Sequence, residues 1–176
     1  MIPRYRLLQE RIRSEWDDAR RAANKAKQAF EATRTEADPS FLLDSVALNL
    51  HGFYNGLERI FEAIGRELDG GVPSGPNRHH DLLEQMAYSL REVRPPVIRA
   101  ETRDRLDEYL RFRHLIRNLY TWNLDPELLE RRVADLTPTL DALDADFEQF
   151  RAFLDVATLA DEDEASGQAQ SPPHEQ

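Results

Sequence analysis

The sequence predicts an all-α protein, an up-and-down bundle of four to five helices. Apolar residues recur at three- and four-residue steps over long stretches, as one face of a helix requires. No alternation of apolar and polar residues runs long enough for a strand, and no internal repeat is visible. Clusters of proline and glycine separate the periodic stretches.

Residues 6–34 are charge-rich, with Leu8, Ile12, Trp16, Ala19, Ala23, Ala26 and Phe30 on one face. Asp38-Pro39-Ser40 breaks this helix and starts the next, since proline is tolerated in a first turn. Residues 41–68 are far more apolar. Leu42, Val46, Asn49, Phe53, Leu57, Ile60 and Ile64 make a stripe, so this is the expected central helix. Gly52 and Gly56 lie on it, four apart. Each costs a helix up to about 1 kcal/mol against alanine, and together they allow a neighbouring helix to approach closely.

Gly70-Gly-Val-Pro-Ser-Gly-Pro76 reads as a loop, followed by a short helix over residues 80–90. Arg94-Pro-Pro96 interrupts the chain because consecutive prolines cannot continue a helix. The next helix spans residues 101–122. Asn123-Leu-Asp-Pro126 ends it and sets up another, with Asp125 as N-cap and Pro126 at the first helical position. Residues 127–159 carry the last stripe, Leu129, Val133, Leu136, Leu140, Leu143, Phe147, Phe150 and Leu154, with Pro138 expected to kink or split it. From residue 160 the composition turns acidic at Asp161-Glu-Asp-Glu164 and then rich in Ser, Gln, Pro and Gly. We therefore expect one helical domain over residues 1–159 and a disordered tail over 160–176.

With no cysteine in the chain, disulfides and thiolate zinc sites are excluded. No apolar run approaches the length of a membrane span, and Met1-Ile-Pro-Arg-Tyr-Arg lacks the apolar core of a signal peptide. The expectation is a soluble, cytoplasmic protein without a membrane partner. Its formal net charge of −10 has the wrong sign for binding nucleic acid over the whole surface. Between Arg91 and Arg117, however, eight arginines stand against five carboxylates, so any such contact is local. Gly-rich phosphate loops, Gly-x-Ser-x-Gly turns and His-Glu-x-x-His helices are all missing, and no metal or cofactor is expected.

The stretch Arg111-Phe-Arg-His-Leu-Ile-Arg-Asn-Leu-Tyr120 is the one that suggests chemistry. Read as helix, it places Arg113, His114, Arg117, Asn118 and Thr121 within an arc of roughly 140°. Phe112, Leu115, Ile116, Leu119 and Trp122 take the other side. One face then packs while the other presents cations, an imidazole and an amide, the groups that hold a phosphodiester and move a proton beside it. No carboxylate follows Arg113 or Arg117 at three or four positions to use up their charge. The plainer alternative is a face of ion pairs with Asp104, Asp107 and Glu108, or a polar seam between helices. Elsewhere, His79-His80-Asp81 reads as a helix start or a contribution to a nearby site, and His51 as a hydrogen-bonded core histidine.

At these residues the chain resembles the HEPN superfamily, and within it the HepT-type toxins of prokaryotic toxin–antitoxin pairs. The family motif is an arginine, a polar residue, a histidine four to six positions beyond the arginine, and often a tyrosine two residues later. Arg113 takes the arginine place, His114 the polar place and Tyr120 the tyrosine place, while Asn118 stands where the histidine is expected. The surroundings are similar too: residues 43–68, His79-His-Asp-Leu-Leu-Glu-Gln-Met86, Arg94-Pro-Pro96 and Leu124-Asp-Pro126, so that the likeness spans roughly residues 40–155. The resemblance implies a homodimer with two motif helices facing across a two-fold axis. It also implies metal-independent cleavage of an RNA substrate by its own 2′-hydroxyl. In that reading Arg113 and Arg117 bind the scissile phosphate, His114 moves the proton and Asn118 positions the substrate. A minimal nucleotidyltransferase would be the antitoxin, with Tyr120 accepting AMP. Asn118 and the net charge leave open a non-catalytic HEPN module that binds RNA, nucleotide or a partner protein, or a structural helical adaptor.

Overall fold

A computed structural model describes residues 4–118 and 124–168, with side chains over 5–118 and 124–160. Its helices are α1 (Arg4–Ala32), α2 (Ser40–Glu67), α3 (Arg78–Ala87), α4 (Ala100–Ile116), α5 (Pro126–Ala134) and α6 (Leu136–Gln168). No strand occurs among the described residues. The fold is the expected all-α bundle.

α2 is its axis. Val46, Leu50, Phe53, Leu57, Ile60, Phe61 and Ile64 are all fully buried, as the apolar stripe requires. α1 lies antiparallel along it, and small residues set the closeness of that pair. A β-carbon added at Gly56 would sit 2.8 Å from the Ala19 β-carbon, whereas one at Gly52 would meet Ala22 at an ordinary 3.8 Å. α6 closes the other side of α1, where Trp16 meets Phe147 edge-on at 5.2 Å and donates from Nε1 to Asp144 at 2.9 Å.

The connections follow their local chemistry. Asp38 accepts the Ser40 amide at 3.1 Å and starts α2. Asp125 accepts the Glu127 amide at 2.9 Å with Pro126 at the first helical position, the cap expected of that sequence. Arg94 is fully buried beside Asp69, with Nε and Nη2 each 2.6 Å from a carboxylate oxygen. Its other hydrogens go to the carbonyls of Tyr88, Gln85 and Pro95, so one guanidinium ties the end of α3 to the Pro95-Pro96 segment and to the loop after α2.

As expected, the last helical stretch is split near Pro138, at Asp135, because proline has no amide to return to the Ala134 carbonyl. The Asp135 carbonyl instead takes both the amide and the hydroxyl of Thr139. Other boundaries differ from expectation. α4 ends at Ile116, short of Trp122. The Arg117 amide still bonds the Arg113 carbonyl, the Asn118 amide tightens to Leu115, and the Asn118 side chain folds back onto the His114 carbonyl at 3.1 Å. Beyond residue 160, where composition places the end of the fold, α6 continues to Gln168. No helix among the described residues is long and apolar enough to cross a membrane.

Candidate functional site

The site is built from the second half of α2, the start of α3 and the end of α4. Along α2, His51, Tyr54, Asn55 and Glu58 form a polar stripe at helical spacing on the edge of the buried face. Glu58 is 7% exposed, so its carboxylate needs partners. It has two. Oε1 lies 2.6 Å from His79 Nδ1 at the start of α3, and Oε2 lies 3.2 Å from Arg113 Nη2 on α4. Asn55 adds a third link, with Oδ1 accepting from Arg113 Nε at 2.8 Å.

Arg113 therefore does not stand on an open face. It is 9% exposed and turned into the bundle, where Glu58, from another helix, answers its charge. Local spacing along α4 cannot reveal such a partner. Only Nη1 of Arg113 remains buried without a hydrogen bond. His114, Arg117 and Asn118 are exposed beside it. The rings of His79 and His114 meet edge to face, with centroids 5.9 Å apart. Leu115, expected on the packed side, is 43% exposed in the last turn of α4. Tyr120 and Thr121 lie outside the described residues.

The electrostatics favour the neutral imidazole at His114 and His51. Desolvation lowers the pKa of His114, and the charge of Arg113 and the neighbouring His79 lower it further. His51 is lowered in the same way, by desolvation and then by Arg113 and Arg117. Its Nδ1 is buried with no hydrogen bond, unlike the bonded core histidine expected at this position. The Tyr54 hydroxyl, also buried and unbonded, is pushed well above its usual range by desolvation and by Glu58. Among the described residues no three His, Cys, Asp or Glu side chains converge as a metal-ligand set.

Sequence reasoning placed Arg113, His114, Arg117 and Asn118 at one end of one helix, and the structure keeps them together there. It did not find Glu58 and Asn55, and it read His79 first as a helix start, with a contribution to a nearby site as the alternative. The signal was present in the positions 51, 55 and 58, a polar line within the most apolar helix of the chain.

Fold and site together define a small helical bundle with a histidine- and arginine-bearing end on its penultimate long helix. The chain belongs to the HepT-like family of the HEPN superfamily: the model for that family, described as HepT-like protein, matches residues 45–154. That span includes α2, α3 and α4 and so every residue of the site. No curated protein and no solved structure matches the chain.

Proposed function

We propose that this protein is a HepT-like toxin of a toxin–antitoxin pair, an endoribonuclease that cleaves RNA without a metal ion. The observation that carries this is the exposed His114, kept neutral by desolvation and by Arg113, beside the exposed Arg117 at the end of α4. A neutral imidazole takes up the proton of a 2′-hydroxyl as that oxygen attacks the adjacent phosphorus. Arg117 offsets the charge developing on the phosphoryl oxygens, with the positive charge of Arg113 held close behind it. Asn118 positions the substrate, since an amide orients a phosphate or hydroxyl but accepts no proton near neutral pH. The protein works as a homodimer with two motif helices facing each other. It is neutralised by a minimal nucleotidyltransferase that transfers AMP to Tyr120, adding bulk and negative charge to the cationic end.

The test is RNA cleavage by purified protein in EDTA, with His114→Ala as the paired control. Cleavage lost in the variant supports the reading, and equal cleavage by both proteins refutes the role of His114. A second reading is favoured by one observation: Glu58 and Asn55 hold Arg113 inside the bundle, and Asn118 caps its own helix. A non-catalytic HEPN module that binds RNA, nucleotide or a partner protein needs no more than this. Absence of cleavage by either protein on several RNAs selects it.

A further inference from the structure

We propose that His79 is the proton donor to the leaving oxygen in this site, so that α3 supplies the second histidine that position 118 lacks. The inference rests on the ribonuclease reading above. Glu58 and His79 form a close, nearly buried pair, 9% and 16% exposed in their side chains, with Oε1 and Nδ1 2.6 Å apart. An imidazole that gives its Nδ1 hydrogen to a carboxylate has a fixed ring orientation and one nitrogen left for chemistry, Nε2. Among the described residues nothing bonds to His79 Nε2. Through its other oxygen, Glu58 also holds Arg113. One buried carboxylate thus orients an imidazole from α3 and a guanidinium from α4 towards the same place. The edge-to-face contact of the His79 and His114 rings puts two imidazoles within reach of one phosphodiester.

The two histidines have different surroundings, and that difference separates their roles. His114 is exposed and faces Arg113, Arg117, His79 and Glu58, and desolvation, then the charges of Arg113 and His79, lower its pKa against the opposing effect of Glu58. That suits a base. The groups facing His79 are Glu58 from α2 and His114 from α4, and Glu58 holds its Nδ1, so that Nε2 is the nitrogen left to carry a proton to the leaving oxygen. That suits an acid. In the step, His114 takes the proton of the 2′-hydroxyl as the 2′-oxygen bonds to phosphorus. The bond from phosphorus to the 5′-oxygen breaks, and His79 passes the proton on Nε2 to that oxygen. A 2′,3′-cyclic phosphate and a 5′-hydroxyl result, and proton exchange with water returns both histidines to their starting forms.

The experiment compares two leaving groups in EDTA. DNA oligonucleotides each carry a single ribonucleotide of one of the four bases, followed by either a 5′-bridging oxygen or a 5′-bridging sulfur. A thiolate leaves without a proton, so loss of the acid matters only for oxygen. His79→Asn keeps a donor for Glu58 but has no group to titrate, and His79→Gln is a second version should the first unfold. The expected result is a loss of about 10²- to 10⁴-fold on the oxygen substrate with near wild-type cleavage of the sulfur substrate. His114→Asn should slow both alike. Wild-type rates on oxygen, or an equal loss on both substrates, overturn the role of His79 while leaving the nuclease reading in place. A wild-type protein that cuts neither substrate nor RNA overturns the nuclease reading, and this proposal with it.

Discussion

Replacing Glu58 by leucine removes the carboxylate that Arg113 and His79 share. The Arg113 side chain is 11% exposed and that of Glu58 9%, so solvent screens the pair little. Breaking a buried ion pair from one side leaves an uncompensated charge and costs about 3–5 kcal/mol. With a urea slope of about 2 kcal/mol/M for a domain of this size, the midpoint should fall by about 2 M. A cycle with Arg113→Met isolates the pair, because removing both charges leaves neither stranded. The double variant should be no less stable than either single one, giving a coupling of about 3 kcal/mol. Glu62→Gln is the internal control: its partner Arg66 is even nearer, at 2.8 Å, but the two side chains are 38% and 52% exposed. That change should cost at most about 0.5 kcal/mol. Urea unfolding followed by circular dichroism reads the wild type and all four variants. Losses that simply add, or a Glu58→Leu variant as mild as the control, would refute the buried network.

Other consequences are equally direct. Gly52→Ala should stabilise by up to about 1 kcal/mol through helix propensity, because the new methyl group meets Ala22 at ordinary contact distance. Gly56→Ala should instead destabilise, by about 1–3 kcal/mol for overpacking less that propensity gain, because its methyl group would press into Ala19; thermal unfolding of the two proteins should move in opposite directions. The depressed pKa values of His51 and His114 mean that the unfolded chain binds more protons near and below pH 6.5. Stability should therefore fall as pH drops through that window, and a His51→Gln/His114→Gln double variant should show a flatter profile in urea unfolding. Tyr120→Phe should leave growth inhibition intact but resist neutralisation; adenylylation of that variant by the nucleotidyltransferase, seen by mass spectrometry, would remove Tyr120 as acceptor.

Much of the fold was readable because its signals are local. The α2 stripe, the Gly52/Gly56 pair and the Asp125-Pro126 cap each act within a few residues, and each stands where the sequence put it. Pro138 predicted a break, but only the carbonyl it leaves unpaired explains why the chain parts at Asp135. The site was half legible for the same reason. His114, Arg117 and Asn118 lie on one short segment, whereas the partner of Arg113 comes from another helix. Sequence spacing shows that a guanidinium lacks a local acid; it does not show that a buried carboxylate waits on α2. The exposure of Leu115 was likewise invisible, because a helical wheel assumes that the packed face persists to the last turn, and here α4 stops at Ile116.

The polar line on α2 changes how the end of α4 should be regarded. Glu58 and Asn55 hold Arg113 inside the bundle, while His114 and Arg117 stand exposed. Arg113 variants are therefore expected to report stability together with activity. Arg117→Ala is the cleaner probe of phosphate binding, since that side chain lies in solvent.

The central claim is that this end of α4 cuts RNA through the RNA's own 2′-hydroxyl, and the ends of the fragments test it most directly. RNA treated with the purified protein in EDTA should yield 2′,3′-cyclic phosphates and 5′-hydroxyls by mass spectrometry, with no product from the same strand made as 2′-deoxy. Fragments bearing 5′-phosphates, or cleavage of the deoxy strand, would contradict it.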